Sequence, residues 1–225
     1  MKKLLLPFLL LGTVSLVAAA TPESLEINKE HVIKIISNLP GELAIVPEVI
    51  DNSEGRWTLM GSKKPPESDS GTDVTSSGTY VFPDDSEVVL VLMAKIEGDK
   101  VFVKGSWPTE SSAKGFVRLD LRVPHAIASD LVIEADGKVV FSGFDGPVQY
   151  LKNQSELVFK KASTGTFLFA LTGEIHGGSL VFNAEKPEGG VLVRIDNTPN
   201  GIDSSINAVT QAEWTLLFNE NAGKK

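Results

Sequence analysis

Two residues, Asp136-Gly137, separate the apolar run Leu131–Ala135 from the run Lys138–Phe141. So short a link forces a hairpin, since both turn residues must take positive φ and Asp and Gly tolerate it. The same pattern recurs. Val88–Ile96 (VVLVLMAKI) leads through Glu97-Gly98-Asp99-Lys100 into Val101-Phe102-Val103, a second hairpin with Gly-Asp at its tip. Thr166–Ile175 leads through His176-Gly177-Gly178-Ser179 into Leu180-Val181-Phe182, which predicts a third.

Between the hairpins, Phe116–Val123 alternates. Val117, Leu119, Leu121 and Val123 should face a core, and Arg118, Asp120 and Arg122 solvent. Val191–Ile195 and Ala212–Phe218 add strands. Near the start, Val32, Ile33, Ile35, Ile36 and Leu39 also fit helical spacing, with Asn28 as cap and Pro40-Gly41 as stop. The β-branched content favours a strand over His31–Ser37. Many short strands with frequent turns predict an all-β chain, a two-sheet antiparallel sandwich of jelly-roll type. Ser62–Gly78, rich in Ser, Pro, Asp and Gly, is expected to be a long surface loop within one domain; a linker between two small β domains is the alternative.

The first residues carry an address. Met1-Lys2-Lys3 is a positive n-region, Leu4–Val17 is mostly apolar, and Ala18-Ala19-Ala20 fits the small-x-small cleavage rule. Residues 1–20 therefore read as a signal peptide, and 21–225 as the β-sandwich domain. The expected location is secreted or periplasmic, in a bacterium. No later window is apolar enough for a membrane span. The chain has no cysteine, which removes disulfide scaffolds, thiol catalysis, Cys-type metal sites and a lipid anchor on cysteine. Lys+Arg number 21 against Asp+Glu 29, a net charge of -8, which argues against nucleic acid as a partner.

Catalytic motifs are missing. His31, His125 and His176 lie far apart in sequence, in no H-x-x-x-H or H-E-x-x-H pattern. There is no nucleophile elbow, P-loop or dinucleotide fingerprint. Asp84, Asp85 and Glu87 cluster before a strand, and calcium is the cation such oxygens would take; Asp69–Asp73 is a second acidic loop. Neither follows the EF-hand spacing, and a solvated acidic turn guarding a sticky strand explains both.

The aromatic residues give the remaining handle, since sugars stack on ring faces. Trp214 shares a face with Leu216 and Phe218, and Trp57 with Leu59, so both belong in a core. Trp107, ending a strand before Pro108, is expected in an exposed loop. Trp107, Tyr150 and Tyr80 are the candidate ligand-binding residues.

Three readings follow. The first is an exported, non-enzymatic sandwich that binds a ligand or partner, a glycan or an envelope protein. The second is a polysaccharide hydrolase or lyase using dispersed carboxylates, with Glu174, His176, Arg118 or Arg194 in one groove. The third is a structural subunit assembled by strand addition.

Overall fold

The computed structural model describes residues 20–56, 58–63, 69–142, 149–182, 190–196 and 205–220, with side chains described for all of these except 149–153, 174–182 and 196. The leader 1–19 and Trp57 lie outside the described residues.

Among the described residues, fifteen strands, numbered in chain order, form an antiparallel two-sheet sandwich, as the turn chemistry predicts. One sheet holds seven: β1 (Pro22–Ile27), β2 (Ile33–Ser37), β3 (Leu43–Asp51), β4 (Thr58–Leu59), β5 (Ser70–Gly71), β9 (Gly115–Val123) and β14 (Val191–Asp196). Its order is β5-β1-β2-β3-β9-β14, with β4 beside β3. The other holds eight: β6 (Asp73–Val81), β7 (Glu87–Glu97), β8 (Lys100–Ser106), β10 (Leu131–Ala135), β11 (Lys138–Ser142), β12 (Gln149–Lys161), β13 (Phe167–Phe182) and β15 (Gln211–Leu217). Its order is β6-β7-β8-β15-β13-β12-β10-β11. A single turn of helix, His125–Ala128, follows β9.

The first two hairpins form where the turn residues place them. Asp136 and Gly137 have φ of 49° and 74°, both positive as a type I′ turn needs, and Gly98 has φ of 63°. The third does not form. His176-Gly177-Gly178-Ser179 runs through the middle of β13. There Gly177 pairs with Lys152 on one side and Asp196 on the other, and Gly178 with Leu151 and Ile195. These glycines serve a strand flanked on both edges. The N-terminal half of β13 pairs with β15 and its C-terminal half with β14, so one strand hydrogen-bonds to both sheets.

The expected loop is shorter than the composition suggests. Residues 73–78 belong to β6, whose inward positions are Val74, Ser76, Gly78 and Tyr80. Small polar residues stand inward here because His31 fills the space against them: a Cβ on Gly78 would lie 2.8 Å from its imidazole.

The core lies between the sheets. Leu25, Ile33, Ile35, Ile45, Val117, Leu119, Leu121, Val193 and Ile195 come from one side, and Val88, Leu90, Leu92, Val101, Val103, Leu157, Phe159, Phe169, Trp214 and Leu216 from the other. Rings of Phe159 and Phe169 stack at 4.3 Å between centroids. Outward positions of β9 break the expected pattern. Arg122 is exposed, but Arg118 and Asp120 are buried. No helix among the described residues is long and apolar enough to cross a membrane.

Candidate functional site

Burial assigns two of the three aromatic candidates, Trp107 and Tyr80, to the interior. Trp107 was expected in an exposed loop and instead is 1% exposed. Its indole Nε1–H donates to the carbonyl of Val209 at 2.6 Å, and its backbone N–H donates to Thr210 O at 2.8 Å. The β8 end is clamped by the segment entering β15, so Pro108 does not release the ring to solvent. Tyr80 is buried beside His31, ring centroids 6.3 Å apart, and burial raises its phenol pKa above the ordinary value. Tyr150 sits in β12 opposite Ser179; its side chain lies outside the described residues. Trp214 is core, as expected.

The acidic turn after β6 is tied internally. Asp84 Oδ1 accepts from the N–H and the hydroxyl of Ser86, at 3.0 and 2.6 Å, which holds its pKa below the usual carboxylate range. Asp85 takes φ of 63° at the turn, and Glu87 pairs with Lys63 at 3.3 Å. Asp84, Asp85 and Glu87 do not converge, and among the described residues no three His, Asp or Glu side chains gather as a metal set.

Two polar clusters carry no sequence motif. His31, with φ of 61°, lies in the β1–β2 turn and bonds Ser76 of β6 through Nδ1···Oγ at 2.7 Å. It joins the two sheets at one end. On the outer face of the seven-stranded sheet, Arg118 forms an ion pair with Glu48 and lies 5.7 Å from the Phe116 ring. Asp120 beside it accepts from Ile195 N–H at 3.3 Å, and Arg194 Nε stands 3.9 Å from its Oδ2. Burial pushes the Asp120 pKa up to about 7 against the opposing pull of Arg118. Arg118 and Arg194 thus meet at Asp120, as an active site would require, but Asp120 is fully buried. His176 and Glu174 have side chains outside the described residues.

A surface feature with room for a ligand lies on the outer face of the eight-stranded sheet. Strand register sets its side chains in rows. Asp73, Lys95, Phe102, Thr215, Thr172 and Glu156 stand at one level across β6, β7, β8, β15, β13 and β12. One row away lie Met93, Lys104 and Glu213. On the other side lie Lys100, Leu217, Ala170 and Val158. Two recesses of about 580 and 630 Å³ open here and share Phe102, Thr172 and Thr215, so they form one groove. Threonines and Ala170 make a low floor, and Met93, Lys104, Phe167 and Lys160 stand along its sides.

Met93 and Phe102 are 44% and 40% exposed. Val89 and Val139 are exposed on this same face, by alternation in β7 and by the pairing of Val139 with Glu134. The sequence did hold a signal for it. Val88–Met93 is apolar at every position, so one set of side chains had to face outward.

Fold and groove together define a class: an antiparallel β-sandwich with a recessed, partly apolar outer sheet face. No protein-family model matches the chain, and no curated protein matches it.

Proposed function

We propose that the protein is an exported, non-enzymatic β-sandwich that binds a glycan in the groove across the eight-stranded sheet. One observation carries the reading. Of the five large hydrophobic side chains exposed among the described residues, Val89, Met93, Phe102 and Val139 share this face, and only Leu59 lies elsewhere. Met93 and Phe102 line the groove itself, and exposed apolar groups gathered at one recess mark a binding surface, whereas scattered ones carry no meaning. The groove adds threonine hydroxyls and charged heads beside Phe102, the mixture that a sugar ring with an apolar face and hydroxyl edges requires. Export rests on the leader pattern of residues 1–20.

An envelope protein is the second reading. Val89 and Val139 favour it, because both are exposed beyond the recess and would widen a protein contact. A glycan array and a pull-down from envelope extract, each run with the wild type and with Phe102→Ala, test the two. Glycan retention lost in the variant is the expected result. A protein retained through Phe102 would replace the glycan with the second reading. Retention of neither, or retention indifferent to Phe102, would overturn the groove as a binding site.

A further inference from the structure

We infer that the groove takes an uncharged, linear glycan laid across the strands, with Phe102 as its apolar platform and Thr172 and Thr215 beneath it. The inference rests on the reading of this face as a glycan site and specifies the kind of glycan.

Charge balance excludes an ionic polymer. Lys95, Lys100, Lys104 and Lys160 line the groove against Asp73, Glu156, Glu213 and Glu220. Three of the lysines are engaged: Lys104 with Glu213, Lys160 with Glu134 at 2.7 Å, and Lys95 with Glu97 at 2.8 Å. The groove is thus neutral on a chain whose net charge is -8. A polyanion or a polycation would need a surface of opposite sign, and four lysines against four carboxylates offer neither. A neutral polyol needs neither. It can take hydrogen bonds from ammonium groups and give them to carboxylates while the pairs stay in place.

Shape sets direction and length. The two recesses meet at Phe102, Thr172 and Thr215, and their linings together draw on β6, β7, β8, β15, β13 and β12. The trough therefore runs across the strands. From β6 to β12 it crosses five interstrand spacings, about 24 Å at ~4.8 Å each. That span suits a chain of several sugar units and is far longer than one ring.

Calorimetric titration of the full mature protein tests this with defined probes: cellohexaose, maltohexaose, xylohexaose and chitohexaose as neutral chains, and polygalacturonate and heparin as polyanions. At least one neutral hexamer should bind, its monosaccharide should bind far more weakly, and affinity should change less than about twofold between low and high salt. Phe102→Ala should weaken binding about tenfold and Thr172→Val a few-fold. Both positions face outward, and melting curves of the variants verify their folding. Binding of a polyanion, lost at high salt, would overturn the neutral ligand and leave the groove reading standing if Phe102→Ala still weakens it. Binding of a hexamer no tighter than its monosaccharide would overturn the linear site. A failure of every neutral hexamer would overturn the inference itself. Hexamer binding indifferent to Phe102→Ala would place the site elsewhere and remove the groove reading as well.

Discussion

Arg194 Nε stands 3.9 Å from Asp120 Oδ2, an ion-pair distance too long for a hydrogen bond. Asp120 is therefore a buried carboxyl with one hydrogen-bond partner, Ile195 N–H at 3.3 Å, and with cations close by but imperfectly placed. Its folded pKa lies at about 7, above the ordinary value of 3.8, because burial outweighs the nearby guanidinium groups. The sign follows by linkage. Below the unfolded pKa both states are protonated. As pH rises from about 4 to 7 the unfolded chain releases its proton first, so stability falls across that window. Asp120→Asn imitates the neutral form at every pH. We expect wild type and variant to melt together near pH 4, and the variant to melt higher at pH 8, by a margin on the order of a few kcal/mol. Parallel melting-temperature profiles from pH 4 to 8 would show that Asp120 ionises normally.

The bond between His31 and Ser76 spans the two sheets inside the core. Ser76→Ala removes the hydroxyl and leaves Nδ1 without that partner in a place where water is excluded. The cost should be about 1–3 kcal/mol, a drop of several degrees in melting temperature for a chain of this size. Urea denaturation measures it. A variant as stable as wild type would mean that the bond contributes nothing net.

Trp107 separates a core role from a ligand role. Trp107→Phe keeps a ring in the interior and deletes the Nε1–H···O bond to Val209. Stability should fall by about 1–3 kcal/mol, from the lost bond and the smaller ring, while the affinity of the folded variant for any groove ligand stays at the wild-type value. Equal stability with lost binding would restore Trp107 as a ligand contact.

Much of the fold is legible in residues whose backbone demands are local. Asp136-Gly137 and Gly98 fix hairpins because positive φ is a property of the turn itself. Alternation in β9 correctly gives Val117, Leu119, Leu121 and Val123 to the core. The misreadings share a cause, since each depends on what lies across space. His176-Gly177-Gly178-Ser179 has the composition of a turn, and only β12 and β14 on its two edges make it a strand. Arg118 and Asp120 follow the solvent pattern but bury against Glu48 and Arg194. Trp107 precedes a proline, yet the chain entering β15 returns to cover it. The groove was the least legible, because it is assembled from strands far apart in sequence and its key ring, Phe102, looks like any apolar residue in Val101-Phe102-Val103.

Gly173 ties the groove to the stability of the sandwich. It has φ of 151° and faces Trp214 of β15, and a Cβ there would lie 2.9 Å from both Glu213 O and Trp214 Cβ. Those contacts are main chain and a core side chain, so neither can yield without moving β15. Gly173→Ala must therefore push β15 away from β13 or twist β13 itself, just beside the region where β13 passes from one sheet to the other. Destabilisation of about 1–3 kcal/mol is expected from the overpacking and the strained φ. Thr172 and Thr215 lie on the same two strands, one residue from the clash, so groove affinity should fall even under conditions where the variant is folded. Phe102→Ala should behave differently, losing affinity with little change in melting temperature. Measuring both variants by calorimetric titration and thermal melting separates the two effects, and a Gly173→Ala protein with wild-type stability would show that β15 is not held as tightly as these distances state.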